Sequence, residues 1–159
     1  MKRRLPVIAL SALALIAVAS ILTRPTAPSK GGTGLLAGAQ IDSDVLATLR
    51  RSCGDCHSEE TRYPWYSYVA PVSWWLEYHV SQGKLHLNLS RWNEYPLPRK
   101  ERRLSDIANQ VKTREMPLRS YLLLHREAEL SNADVDAIFR WTQAERARLI
   151  AESAAGNPQ

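Results

Sequence analysis

The stretch "RRSCGDCHSEETRYPWYSY" (Arg50–Tyr68) contains both cysteines of the chain, Cys53 and Cys56, and His57 directly follows the second. Tyrosines and tryptophans cluster a few residues further on. Two thiols and an imidazole at this spacing have three possible interpretations: a redox dithiol, part of a zinc site, or an attachment point for haem. The rest of the sequence discriminates between them.

The redox and zinc interpretations each lack their usual context. A thioredoxin-type dithiol follows a strand in a βαβ unit, whereas the residues before Cys53 predict a helix. A structural zinc site needs four ligands. Cys53, Cys56 and two of the four histidines His57, His79, His86 and His125 can supply that number, but their spacing matches no common zinc finger. The adjacent Cys-His pair is also awkward for tetrahedral closure.

Covalent haem accounts for every residue of "CGDCH". Side chains at i and i+3 share one helical face, so both thiols can reach the vinyl groups on one edge of a porphyrin. The imidazole of His57, at i+4, is then carried under the ring as the proximal iron ligand. The spacing therefore predicts one covalent haem c, attached through Cys53 and Cys56.

Only a few residues of the sequence are candidates for the second axial ligand of the haem iron. Apart from Met1, the only methionine is Met116, in "TREMPLRSY", where Pro117 should end a helix and leave the thioether on a loop. Met/His coordination raises the reduction potential of a haem. A methionine that merely fills a gap in the core is the alternative for Met116. His79 is the alternative distal ligand, which would give a bis-His haem; His86 and His125 are interpreted as surface or capping residues.

The N-terminus is typical of a targeting segment. "MKRR" is followed by the apolar run Val7–Leu22, whose sixteen residues span about 24 Å as a helix, short of the ~30 Å hydrocarbon core. We predict that residues 1–22 are an uncleaved membrane anchor. A cleaved signal peptide is the alternative, because Ala17-Val18-Ala19 resembles a signal-peptidase site. Both interpretations export the rest of the chain.

The charge distribution argues against nucleic acid as a partner. The chain carries a net charge of +5, and residues 1–40 contain five basic residues and no acidic one. The remainder has 21 − 5 = 16 basic and 16 acidic residues, so the predicted domain has no net positive charge for phosphate.

The remaining sequence predicts a flexible linker and a helical domain. Residues 23–41 are rich in Pro, Gly, Ser and Thr, and residues 42–152 form the domain. Helices are predicted over "VLATLRRSC", from Pro71 through "VSWWLEYHVSQ" to a stop at Gly83, over "RKERRLSDIANQVKT", and from Ser131, where Asp134 nearly completes a capping box. No segment shows the alternation of a strand, so the fold class is all-α.

Seven aromatic residues are expected to form the haem wall and the core of the domain, and a quinone or ligand surface is the alternative. They are Tyr63, Trp65, Tyr66, Tyr68, Trp74, Trp75 and Trp92.

Four further segments resemble sequence motifs of a known protein family. "TRYPWYSYVAP" (61–71), "VSWWLEYHV" (72–80), "LNLSRW" (87–92) and "REMPLRSYLLLHREAELSNADVDAIFRW" (114–141) accompany the CxxCH motif. Over about residues 42–145 the sequence resembles a bacterial family of small haem-binding domains, in which phenylalanine is common where Leu89 stands here. The resemblance implies a class I cytochrome-c-like helical fold wrapped round one covalent haem, preceded by an anchor or signal helix. It supports Cys53, Cys56 and His57, and less directly Met116, in the roles given above.

The expected function is single-electron transfer by an exported c-type haem protein that acts as an electron carrier. The protein would be located on the periplasmic side of the bacterial inner membrane, or in the soluble periplasm after cleavage. Its redox partner proteins are unknown. A haem sensor or peroxidase-like enzyme with an open sixth coordination site is the alternative, with His79 or Arg114 as the distal group. A structural haem domain that presents its Trp/Tyr surface to a partner protein is a third possibility.

Overall fold

The structure, a computed structural model, describes residues 4–25 and 34–155. Helices and their connections make up these residues, and no strand occurs among them, which confirms the predicted all-α class. The α-helices are α1 (Arg4–Leu22), α2 (Ser43–His57), α3 (Val72–His86), α4 (Leu97–Lys112), α5 (Arg119–Leu122) and α6 (Asn132–Ala155). Three short 3₁₀ helices lie between them, at Trp65–Tyr68, Leu89–Glu94 and Arg126–Ala128.

Helix α2 carries the whole CxxCH motif. Asp42 occupies its N-cap position, and Val45 and Leu49 are buried on its inner face. The apolar pattern predicts a helix that ends at Cys53. The helix continues instead to His57. Both cysteines and the histidine therefore lie in its last two turns, where helical geometry fixes their relative directions.

Helix α3 begins after Pro71, as predicted, but it does not stop at Gly83. It continues to His86, so the prediction of its end is wrong. Gly83 has a packing role instead: a Cβ placed there would lie 2.4 Å from the carbonyl oxygen of Cys56. The missing side chain lets the backbones of α2 and α3 approach closely beside the second cysteine.

Helices α4 and α6 pack against each other and supply much of the core. Leu104 and Val111 of α4 are buried, as are Ile138 and Trp141 of α6. On α4, Leu104, Ile107 and Val111 recur at the three- and four-residue spacing of an amphipathic helix, and Ile138 and Trp141 of α6 lie three residues apart.

The start of α6 is capped as predicted. The backbone N–H of Asp134 donates to Ser131 Oγ at 3.1 Å, and the backbone N–H of Ser131 donates to Asp134 Oδ2 at 2.8 Å. Two backbone donors that the helix leaves unpaired are thereby satisfied reciprocally.

Part of the predicted linker belongs to the core. Residues 26–33 lie outside the described residues, but Leu35 and Leu36 are buried, and the Leu36 N–H donates to the Leu89 carbonyl at 2.8 Å. The prediction of a flexible linker is therefore wrong for residues 34–41, where the burial of two leucines offsets part of the cost of ordering the chain.

A buried ion pair fastens this segment to α6. The Glu145 carboxylate is 1 % exposed and accepts two hydrogen bonds from Arg148, at 2.7 Å and 2.6 Å. The backbone N–H of Gln40 donates to the same carboxylate at 3.2 Å. Trp141 Nε1 in turn donates to the Gln40 carbonyl at 2.9 Å.

Helix α1 exposes apolar side chains along its length, from Val7 to Leu22. Within residues 4–25 and 34–155, no helix meets the length and apolarity needed to cross a membrane. Residues 1–3, which hold most of the basic start of the chain, lie outside the described residues.

Candidate functional site

A cavity of about 610 Å³ opens between α2, α3 and α4 and the loop that follows α4. Its volume falls within the usual range of cofactor sites, about 300–1,000 Å³. The cavity brings together all five residues that the sequence marked as cofactor or iron ligands. They are Cys53, Cys56, His57, His79 and Met116.

The two thiols are unpaired and face this cavity from α2. Burial is the largest cause of their high pKa values, which rise to about 12 for Cys53 and about 11 for Cys56. Both thiols are therefore neutral at neutral pH. A redox dithiol works through the thiolate form, so this environment does not suit the redox interpretation. In the described part of the chain, no group of three or more His, Cys, Asp or Glu residues is arranged to hold a metal ion.

His57 is held in one orientation by the end of α3. Its Nδ1 lies 3.0 Å from the Leu87 carbonyl oxygen, which can only accept, so Nδ1 carries the proton and Nε2 keeps its lone pair. Burial lowers the pKa of the imidazole, against the opposing effect of the bond to Leu87. The ring is thus neutral and oriented, as an iron-binding histidine needs to be.

The two candidate distal ligands enter the cavity from different elements. Met116 lies on the loop between α4 and α5, as predicted, and it is half-buried. His79 lies on α3, where its Nδ1 bonds the Trp75 carbonyl at 2.8 Å and its ring contacts the Trp75 ring with 4.1 Å between the centroids. Gly83, one turn further along α3, lies against Cys56, so His79 lies on the face of α3 that packs against α2.

Arg114 takes no part in the cavity. Its guanidinium donates to the Leu130 carbonyl oxygen and to Asn132 Oδ1, at the start of α6. The residue is absent from the cavity lining, so the role of a distal charge group, expected for Arg114 under the peroxidase alternative, does not fit its position.

An acidic residue between the two cysteines ties α2 to α5. Asp55 Oδ2 accepts a hydrogen bond from the Tyr121 hydroxyl at 2.8 Å, and Oδ1 accepts from the backbone and the side chain of Arg62, both at 3.2 Å. Asp55 and Tyr121 both line the cavity. Since Tyr121 closely follows the Met116 loop, this bond links that loop to the CxxCH helix.

Tyr121 also anchors a stack that leads away from the cavity. Its ring lies parallel to that of His125, with centroids 4.0 Å apart, and His125 Nε2 lies 2.9 Å from the Tyr66 hydroxyl. His125 therefore joins the α5 segment to the Trp65–Tyr68 helix. His86, in contrast, lines the cavity although it is exposed, a location that its isolated position in the sequence did not signal.

The predicted aromatic wall is wrong. None of the seven residues assigned to it lines the cavity, and only Trp92 is fully buried in the core. Trp65, Tyr68, Trp74 and Trp75 are exposed. The wall is largely aliphatic, because α2, α4 and the ends of α3 and α5 turn their apolar faces inward. Its apolar members are Leu49, Leu87, Leu89, Ile107, Val111 and Leu118.

The lining fits a haem in a further respect. Arg103 of α4 lines the cavity and pairs with Asp106 at 2.7 Å, while its Nε–H is buried without a partner among the described residues. A buried donor without an acceptor is costly. The carboxylate of a haem propionate is the type of acceptor that a guanidinium binds best. The sequence alone gave no sign of this arginine.

A family model described as a haem-binding domain matches residues 13–144 of the 159 residues. The match covers all of α2 to α5 and the lining of the cavity. No curated protein and no solved structure matches the chain.

Proposed function

Because the chain belongs to the haem-binding domain family, we propose that it is an exported c-type haem protein that transfers single electrons. The observation that carries the proposal is the convergence of Cys53, Cys56, His57 and Met116 on one cavity. Two thiols suited to covalent attachment, a neutral imidazole and a thioether meet there, although Met116 is far from the other three in sequence. A haem bound in this position would supply an iron that gains and loses one electron.

The residues of the cavity have distinct tasks in this proposal. Cys53 and Cys56 hold the cofactor covalently. His57 is the proximal ligand, oriented by its hydrogen bond to the Leu87 carbonyl oxygen. The aliphatic wall excludes water from the site, and Arg103 binds a carboxylate at the edge of the cofactor.

Met116 is the distal ligand that the arrangement favours. If a haem occupied the cavity, its second protein ligand would come from a part of the lining other than the part that holds His57. His57 bonds Leu87, the residue that follows α3, and α3 also carries His79. Met116 comes from the loop after α4 and faces the cavity from another wall. Met/His coordination would give the protein a raised reduction potential.

The proposal extends to the location of the protein. The basic start and the apolar run of residues 7–22 support export to the periplasmic side of the bacterial inner membrane, with residues 1–22 retained as an anchor. The mass of the mature chain tests this point, because cleavage after Ala19 would leave a soluble protein that begins at Ser20. The electron donor and acceptor would be other redox proteins.

The proposed function is tested on the full chain, expressed with haem-maturation machinery. Wild type, Met116→Ala and His79→Ala are compared, with Ile150→Ala, an exposed site on α6, as the matched control. The wild type should keep its haem on a denaturing gel, and Cys53→Ser with Cys56→Ser should abolish this retention. Met116→Ala should remove the weak sulfur-to-iron band of the oxidised protein, lower the potential and let carbon monoxide bind. The His79 and Ile150 variants should retain the band.

Three results would contradict parts of this proposal. Haem that acid–acetone extracts from the wild type would exclude covalent attachment. A change of spin state in His79→Ala, with none in Met116→Ala, would make the haem bis-His. A high-spin wild type, insensitive to both substitutions, would favour a sensor or peroxidase-like enzyme with an open sixth site.

A further inference from the structure

A cluster of exposed apolar residues lies outside the cavity and has no part in the proposed function. Trp65 is 78 % exposed, and it is joined by six other large apolar residues in the same segment. Between residues 63 and 80, Glu77 is the only charged side chain. We call this surface the aromatic face; its members are Trp65, Tyr68, Val69, Val72, Trp74, Trp75 and Tyr78.

The aromatic face is continuous with the end of α1. Trp74 Nε1 donates to Thr23 Oγ1 at 2.8 Å, and the backbone N–H of Ala70 donates to Ser20 Oγ at 3.0 Å. The last turn of α1 and the start of α3 are therefore joined by two hydrogen bonds. Apolar side chains are exposed on α1 up to Leu22, next to this junction.

The composition of the combined surface favours lipid as its cover. Helix α1 is apolar on all sides rather than along one stripe, which is typical of a helix surrounded by lipid rather than one packed against a single protein partner. The aromatic face adds tryptophans and tyrosines, whose rings are apolar and whose N–H or O–H groups are polar. Such side chains are enriched where a membrane meets water.

We propose that the aromatic face docks on the headgroup region of a phospholipid bilayer, beside the point where α1 enters it. The inference rests on retention of residues 1–22, which belongs to the proposed function. Trp75 of the aromatic face contacts His79, and His79 lines the cavity. Docking therefore places the α3 side of the cavity next to the membrane surface and fixes the orientation of the domain.

The test uses the full haem-loaded chain in vesicles of phosphatidylcholine and phosphatidylglycerol that contain a trace of phospholipid with a photoreactive headgroup. Cross-linked sites are mapped by mass spectrometry. We expect labels in α1 and, several-fold above the level around Ile150, in residues 65–78. The triple variant Trp65→Ser, Trp74→Ser and Trp75→Ser should lose most labels in 65–78 and keep those in α1.

Matched controls make each outcome informative. Ile150→Ser removes one exposed apolar side chain elsewhere and should leave the pattern unchanged. Circular dichroism and the haem spectrum check that the triple variant is folded, and wild-type labelling stands as a test even if that variant fails. Labels in α1 with none in 65–78, or cross-links from 65–78 to a second copy or to another protein, would overturn the inference.

Failure of the proposed function and failure of the docking proposal are distinguished by different measurements. Loss of covalent haem is read from the denaturing gel and does not depend on labelling. Labels in 65–78 without labels in α1 would refute retention of the anchor and still support docking of the aromatic face. Absence of labels from both segments would overturn the docking.

Discussion

Replacing Gly83 by alanine tests whether the close approach of α2 and α3 stabilises the fold. The new Cβ would lie 2.4 Å from the Cys56 carbonyl oxygen, 3.1 Å from the carbonyl carbon and 3.2 Å from the Cys56 Cβ. Two of these three atoms are backbone, so no side chain can rotate away to make room. The helices must move apart beside the second cysteine.

The expected cost combines two opposing effects. Overpacking a well-packed site costs about 1–3 kcal/mol, and a backbone clash belongs at the upper end of that range. Alanine is a better helix former than glycine by about 1 kcal/mol. The free energy of unfolding of Gly83→Ala should therefore fall by about 2 kcal/mol. The haem attached per chain should fall as well, because the displaced helix carries both cysteines.

Gly54→Ala is the matched control, because Gly54 is also inside a helix and also next to a cysteine of the motif. A Cβ at Gly54 would meet its nearest atoms at 3.8 Å and 4.0 Å, an ordinary contact distance. This variant should gain up to about 1 kcal/mol. Urea unfolding of both proteins, followed by circular dichroism, measures the difference. A Gly83→Ala protein as stable as Gly54→Ala would refute the close-approach argument.

Two further predictions concern side-chain pairs. Arg148→Ala should lower the free energy of unfolding by about 3 kcal/mol in urea titrations, because it leaves the buried Glu145 carboxylate without its cation. Glu152→Ala removes the exposed partner of Arg148 and should lower the free energy of unfolding by less than about 1 kcal/mol. Equal losses in the two variants would contradict the role of burial. Burial and the bond to Asp55 raise the pKa of Tyr121 far above its ordinary value of 10.0, so stability should fall as the pH rises above that value and the unfolded chain ionises. In a pH series of unfolding curves, the free energy of unfolding of Tyr121→Phe should fall less above about pH 10 than that of the wild type. The same fall in both proteins would exclude Tyr121 as the source of the pH dependence.

Local patterns explain why the sequence predicts the helices and the CxxCH motif within one of them. The spacing of Cys53, Cys56 and His57 depends only on the geometry of one helix, and the apolar period of α4 depends only on its own residues. The cap formed by Ser131 and Asp134 is equally local. Such features are present in a short window of sequence, and the structure confirms the helices in which they lie.

The sequence predicts neither the exposed aromatic residues nor the ordered part of the linker, because burial depends on the whole fold. Trp65 and Trp74 are as apolar as Trp92, yet only Trp92 has neighbours on every side. Likewise Leu35 and Leu36 lie in a glycine-rich segment that looks unstructured, but they meet the Leu89 region and are buried. Propensity cannot show which apolar residue finds a partner that is distant in sequence.

The sequence by itself determined the helical class, the pair of thiols with their histidine, and the methionine that follows α4. Only the tertiary structure decided that Met116 and His57 share a cavity, that Arg103 lines it, and that Trp65, Trp74 and Trp75 face outward. The physical reason is the range of the interactions. Helical spacing and capping act over a few residues, whereas a cavity and an exposed face arise from the packing of helices that are far apart in the chain.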